Sequence, residues 1–238
     1  MMRGLLLESP PLDAAAQMAL DEAVLEGAPE AVPVLRFYHW SSDRGAASPH
    51  AVTFGVSQAY GDVEAAVRRR LGAADVPLVR RATGGGIVYH GGDVTFSLVF
   101  SWPTLCDPGL VYKDIHLAAH LGFKALGIAT SLWSPGREPG PRPECFAGPE
   151  PKDLVAQDGA KALGGALRRR RGRGLYQGSL RPAVLGADAS AGRRALAEGL
   201  SVAWKALFDP GGAPAGVPER AERLRAERYA SDHWNRRR

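Results

Sequence analysis

Apolar and polar positions along this chain switch between a helical period and a strand period, and the switches mark its elements. Asp13 to Glu26 sets small and apolar residues at helical spacing among acidic ones, and Gly27 ends the run. Val63 to Leu71 repeats that spacing with Asp62 placed to cap its start, and Asp114 to Leu126 repeats it again. β-Branched and aromatic runs predict strands at Val34 to Trp40, Ala51 to Gly55, Val76 to Arg80 and Val94 to Trp102. The last is the clearest, bounded by Gly91-Gly92 and Pro103. Leu154-Val155, Lys161 to Arg168 and Leu175 to Leu180 predict short strands with tight turns. Ala183 to Phe208 and Pro218 to Ala230 predict helices on either side of a Gly/Pro break. Ser134 to Pro151 is so rich in proline and glycine that it predicts a loop, and Cys145 lies in it. No internal repeat is visible. Irregular interleaving of strands and helices predicts an α/β (α+β) fold, a mixed sheet flanked by helices.

Composition narrows the class. The 238 residues are within reach of one α/β domain, and a hydrophobic content of 45% is enough to bury a core. No stretch approaches the roughly 20 apolar residues of a membrane span. The leucines of Met1 to Leu7 are stopped by Glu8, Ser9 and two prolines, short of the roughly 7–15 apolar residues of a secretory h-region. The expectation is a soluble, cytoplasmic protein with no membrane partner. Two cysteines, Cys106 and Cys145, are too few for a disulfide framework and predict free thiols. The net charge of +5 gathers in Arg168 to Arg171 with Arg173, and in Arg236 to Arg238. Such clusters are either solvated faces or docking points for an acidic partner. Binding to single-stranded nucleic acid needs aromatic platforms among the basic residues. Only Tyr176 is near the inner cluster, so a nucleic-acid partner is not expected.

The most specific local chemistry is Arg80-Arg81-Ala82-Thr83-Gly84-Gly85-Gly86-Ile87-Val88-Tyr89-His90. Three glycines in a row lack Cβ atoms and let a ligand lie on backbone N–H groups. Arg80 and Arg81 would add cationic forks for an anionic ligand. No Gly-Lys-Ser/Thr follows, so this is no Walker loop, and contiguous glycines do not make a dinucleotide fingerprint. A surface hairpin is the plainer alternative.

This segment, with Asp93-Val-Thr-Phe-Ser97 after it, resembles the signature of the lipoate–protein ligase and octanoyltransferase family, relatives of biotin–protein ligases. Further pieces agree in order: Met18-Ala-Leu-Asp21-Glu22, Gly55-Val-Ser-Gln58, Asp153-Leu-Val155, Lys161-Ala-Leu-Gly164-Gly165-Ala166, Leu175-Tyr-Gln177-Gly178-Ser179 and Tyr229 to Trp234. The resemblance spans nearly the whole chain. It implies one catalytic domain over residues 1–238 without a C-terminal accessory domain, and a ligand site of Arg80, Arg81, Thr83, Gly84, Gly85, Gly86, His90, Gly164, Gly165 and Ala166. It implies that Lys161 faces the acyl carbonyl or acyl phosphate, where an ammonium stabilises developing charge.

Two mechanisms follow from the resemblance. Cysteine-dependent octanoyl and lipoyl transferases carry a Cys-Phe a few residues before the point that here reads Lys152-Asp153, as Cys145-Phe146 does. A thiolate there takes an acyl group from a carrier thioester and passes it to a lysine amine, without a cofactor. The donor would be acyl carrier protein or an acylated H protein, and the acceptor a lipoyl domain or glycine-cleavage H protein. The Thr-Gly-Gly-Gly loop, by contrast, reads as in ligases that use ATP and Mg2+ with lipoate, sometimes with a small accessory subunit; Asp153 would then meet the magnesium or the amine. Gly91 departs from the aspartate common at that position in the family. The apolar acyl chain would lie along Val79, Ile87 and Val88. His90 would orient the ligand or act as a base, or be a structural histidine. Cys106 reads as a small buried residue. A nucleic-acid-binding module and an inactive scaffold are the readings of other classes.

Overall fold

The computed structural model describes residues 1–41, 49–72, 76–103, 106–134 and 144–237. Eight strands form one mixed sheet: β1 (Met2–Glu8), β2 (Val34–Tyr38), β6 (Val94–Ser101), β7 (Ser131–Leu132), β8 (Leu154–Val155), β9 (Lys161–Arg170), β10 (Arg173–Leu180) and β11 (Ala206–Pro210). Their order is β11-β1-β2-β6-β10-β9-β8-β7. The first three run parallel, and every later pairing is antiparallel. A second sheet, β4 (Leu78–Arg80), β3 (Ala51–Phe54) and β5 (Val88–His90), packs on helix α2 (Tyr60–Leu71) through Val52, Phe54, Val63, Val67 and Ile87.

Strand periodicity divides the large sheet into two unlike faces, because successive side chains point to opposite sides. Leu35 and Phe37 of β2, Phe96, Leu98 and Phe100 of β6, and Tyr176 and Leu180 of β10 pack against helices α3 (Pro108–Ala125) and α4 (Ala189–Trp204). Burial of each large apolar side chain contributes roughly 1.5–3 kcal/mol. The two helices meet backbone to backbone: a Cβ on Gly122 would overlap the Ala195 carbonyl, and one on Gly199 would overlap that of Ala118. The intervening residues, Arg36 and Tyr38, Thr95 and Ser97, Gln177 and Ser179, turn to the other face, under helix α1 (Ala14–Gly27) and the small sheet.

Several expected boundaries move for local reasons. Helix α3 begins at Pro108 rather than Asp114, because Asp107 accepts the N–H groups of Gly109 and Leu110 and proline suits the first helical position. Helix α2 starts at Tyr60 after Ala59; Asp62 lies in its first turn and does not cap it. The helix expected over Ala183 to Phe208 is a short turn (Pro182–Leu185), α4 and β11, divided where Lys205 takes a φ of 50°. The leucines of β1 are a strand, paired with β2 and β11. Helix α5 (Val217–Leu224) runs into a π-turn at Arg225–Tyr229 and then α6 (Asp232–Asn235). Of the expected loop, residues 135–143 lie outside the described part; Glu144 bridges to Ile87.

Candidate active site

Between the polar face of the large sheet and the small sheet lies a narrow, partly open slot. Cys145, Gly85, Val88, Gly164, Gly165 and Ala166 are among the residues that line it, with Met18, Arg81 and His90. Its polar wall residues bond to one another, so the surface that faces the slot is mostly carbon. Under the wall, Asp21 of α1 is fully buried and accepts from Arg36 Nη1 (2.5 Å), Ser97 Oγ (2.6 Å), Gln177 Nε2 (2.6 Å) and Tyr38 Oη (3.3 Å). Gln177 in turn accepts from Thr83 Oγ1 at 2.7 Å, which ties the glycine segment to α1.

Cys145 is half-buried at the slot, its N–H donating to the Ile87 carbonyl at 3.0 Å. Lys161 Nζ lies 3.4 Å from its Sγ, donates to its carbonyl oxygen at 2.8 Å and pairs with Asp153 Oδ2 at 2.7 Å. The short β8–β9 turn and the strand that follows aim Lys161 here, and Gly164 makes the room: a Cβ on it would press into the lysine's Cε and Nζ. Burial works against the Lys161 ammonium, but the charges of Cys145 and Asp153 outweigh it and raise its pKa above the ordinary lysine value. Asp153 also accepts from Tyr112 Oη (2.6 Å) and the Glu150 N–H (2.6 Å), and Tyr112 Oη accepts the Gly165 N–H at 3.2 Å. Burial, then the Asp153 charge, holds the Tyr112 phenol well above its usual range, so it stays a donor. Behind it His116 stacks at 4.1 Å and is pushed down to about 3 by burial and the Lys161 charge; it is neutral.

The glycine segment is held by its own arginine. Arg81 donates to Gly84 O (2.8 Å), Gly86 O (2.9 Å) and Thr53 Oγ1 (2.9 Å), and burial lowers its pKa to about 10. Those carbonyls face the arginine. Among the described residues no acceptor takes the N–H groups of Gly84, Gly85 or Gly86. Gly85 has a φ of 82°, and a Cβ on Gly55 would overlap its carbonyl, so both positions need glycine. His90 donates or accepts at Thr53 Oγ1 (2.9 Å) and meets Asp93 Oδ2 at 2.9 Å, with the Trp40 ring tilted against it at 4.3 Å. Asp93 also accepts from Ser179 Oγ and Thr95 Oγ1; despite burial, these contacts and His90 hold it down to about 2.

Several expectations are corrected. Arg80 does not offer a fork to an anion: its buried guanidinium donates to the carbonyls of Val56, Gln58, Trp234, Asn235 and Arg237 and so anchors the C-terminal segment. Val79 packs under α1 and Ile87 in the small-sheet core, which leaves Val88 as the wall of the slot. Cys106 is exposed, not buried. In the inner basic cluster, Arg168 and Arg170 pair with Glu22 and, for Arg170, Glu26 on α1. Tyr176 is fully buried on the apolar face and offers no stacking platform.

A model of the lipoyl protein ligase A/B catalytic domain matches residues 13–196. The chain belongs to that family. Among curated relatives, an octanoyltransferase LipM of Kyrpidia tusciae is 32% identical over 93% of this chain and 94% of its own length. The octanoyltransferase LipM of Moorella thermoacetica is 31% identical over 98% of this chain and 97% of its own. A T. acidophilum protein solved with bound lipoic acid superposes with a TM-score of 0.78 at 23% identity, covering 99% of this chain and 100% of its own. A lipoate-protein ligase A bound with ATP gives 0.75 at 23% identity, with 99% of each chain covered. These structural likenesses establish the shared fold, and family membership makes the chain an enzyme of this class.

Asp21, Asp93 and Tyr112 are structural partners of the site that the sequence did not single out in those roles. Asp93, three residues after His90, carried a local signal. Tyr112 carried none, since helical spacing says nothing of what a tyrosine tip will meet.

Proposed function

We propose that this enzyme moves an octanoyl or lipoyl group through a thioester on Cys145 to a lysine of a lipoyl domain or glycine-cleavage H protein, the chemistry of protein lipoylation. The observation that carries the reading is the Sγ of Cys145 at the slot, 3.4 Å from the buried, Asp153-paired ammonium of Lys161. The octanoyltransferase LipM relatives support it. In the first half, the Cys145 thiolate attacks the donor's thioester carbonyl. The new bond is Sγ–C, and the donor's own C–S bond breaks. Lys161 stabilises the oxyanion and supplies a proton to the departing thiolate. In the second half the acceptor's neutral ε-amine attacks, the C–N bond forms, the Cys145–acyl bond breaks, and the amine proton returns to the Cys145–Lys161 pair. Gly85, the glycine of the segment that lines the slot, offers with its unbonded amide the remaining surface against which the acyl carbonyl packs. Acyl carrier protein or an acylated H protein is the donor, and no cofactor takes part.

Residues 1–238 act in this reading as one catalytic domain, consistent with the pairing of β1 to β11 and the hold of Arg80 on the C-terminal segment. The free glycine amides also favour a second reading, a ligase that uses ATP, Mg2+ and lipoate with an accessory subunit. The donor set fits magnesium poorly: Asp153 spends its oxygens on Tyr112, Glu150 N–H and Lys161, and no cluster of three metal-ligating side chains occurs among the described residues. Octanoyl carrier protein without ATP in one tube, and lipoate with ATP in another, are each mixed with a lipoyl-domain acceptor and weighed by mass spectrometry. Octanoylation in the first tube is the expected result. Modification only in the second replaces the transferase by the ligase.

A further inference from the structure

Arg181 follows directly on β10, and its N–H donates to the Ala162 carbonyl at 2.7 Å, so its backbone is fixed. Its guanidinium carbon lies 3.7 Å from the centre of the Phe146 ring, and Lys161 Nζ lies 5.1 Å from the same centre. Phe146 adjoins Cys145 in the chain, so both cations rest on the neighbour of the thiol. Among the described residues, Arg181 is the only buried or half-buried arginine whose guanidinium has neither a hydrogen bond nor an ion pair. Its counterparts spend theirs: Arg36 on Asp21, Arg81 on the glycine carbonyls, Arg168 and Arg228 on Glu22, Arg173 on the Ala28 carbonyl. The carboxylate whose charge reaches it is already engaged. Asp93 is taken by His90, Ser179 and Thr95.

A half-dehydrated guanidinium with five unused donors is poorly placed unless an anion completes it, and its flat fork matches a carboxylate or a phosphate. Stacking on Phe146 holds the plane ready without using any donor. On the transferase reading, which this inference deepens, an anion that meets this fork belongs either to the donor or to the acceptor. The phosphate of a pantetheine-type donor arm sits a long flexible chain away from its thioester. A carboxylate flanking an acceptor's target lysine would stay within one or two residues of the reacting amine. We infer that Arg181 is the recognition site for a carboxylate of the acceptor domain beside its target lysine, and so sets which lysines receive the acyl group.

The test uses the full-length enzyme with octanoyl-N-acetylcysteamine, an uncharged small thioester, and with octanoyl carrier protein as donors; a lipoyl domain is the acceptor. Arg181→Gln and Arg181→Lys are compared with the native enzyme, with melting temperature as the fold control. Removing the fork should raise the acceptor KM at least ten-fold with kcat changed less than three-fold. Acylation of Cys145 by the small thioester should change less than three-fold. The lysine variant should recover only part of the loss, because it lacks the bidentate fork. Neutralising the acidic residues beside the acceptor's lysine should cost the native enzyme as much as Arg181→Gln and cost that variant little more. An acceptor KM within two-fold of native overturns the inference. So does a KM rise confined to the carrier-protein donor, which would assign the fork to its phosphate. Equal loss with the small thioester would make Arg181 a structural residue. If the native enzyme takes no acyl group from either donor, the transferase reading fails instead, an outcome separate from all of these.

Discussion

On one face of the eight-stranded sheet the strands present Leu35, Phe37, Phe96, Leu98 and Tyr176; one residue along, on the other face, the same strands present Arg36, Tyr38, Thr95, Ser97 and Gln177. The first face packs on α3 and α4 mostly through carbon surfaces, with one buried hydrogen bond between Tyr176 and His116 at 2.8 Å. The second is buried just as deeply, yet each polar atom has an assigned partner, with Asp21 at the centre. Apolar burial is proportional to area and tolerant of detail. A buried polar network is directional and costs heavily when one member is missing. The greasy face therefore supplies stability, and the polar face supplies a fixed wall against which the slot, the glycine segment and the Cys145–Lys161 pair are placed.

The contrast can be broken first on the greasy face. Phe96→Ala should cost about 3–5 kcal/mol of folding stability, by transfer and cavity terms together. Thioester formation per folded molecule should stay within about three-fold, measured by denaturant titration beside single-turnover acylation. Coupled loss of both would show that the two faces are not separable. On the polar face, Asp21→Asn leaves Arg36 buried without its counter-charge, at a cost of about 3 kcal/mol. Here acylation should fall with stability, because Gln177 and Thr83 lose their anchor.

A third substitution isolates chemistry. The double change Lys161→Met with Asp153→Asn removes both charges of the buried pair and leaves neither stranded. Stability should hardly change, while acylation falls by about 10²-fold or more, about 2.7 kcal/mol. The smallest effect is read against pH. Asp93 sits near 2 when folded against 3.8 when unfolded, so its stabilisation is present above pH 3.8 and disappears as pH falls toward 2. Asp93→Asn should lower stability by about 2 kcal/mol at neutral pH and flatten the acid limb in that window.

How much of this could be read from sequence depends on the range of the interactions. The strands β2, β6 and β10, the helix α1 and the glycine segment follow from residues close together in the chain; that Asp13 caps α1 rather than opening it came from the structure. The pairing of Cys145 with Lys161 was within reach only because the order of motifs resembled a known family; sixteen residues separate them, and spacing alone gives no contact. Arg80 and Arg81 show the limit best. They are adjacent and identical, yet one staples the glycine carbonyls and the other the last turn of the chain. Strand alternation says that they point apart, but not which partners wait on either side. The β1 strand was hidden for a related reason, since a leucine run bounded by prolines fits a buried strand as well as other segments and shows no alternation.

The most direct test of the central claim is the mass of the enzyme after brief mixing with an octanoyl thioester, followed by mapping of the modified peptide. The account predicts one octanoyl group, released by hydroxylamine, on the peptide that contains Cys145, and none on Cys145→Ala. An enzyme that transfers the acyl group at full rate without such an adduct, or one that carries it on another residue, would contradict it.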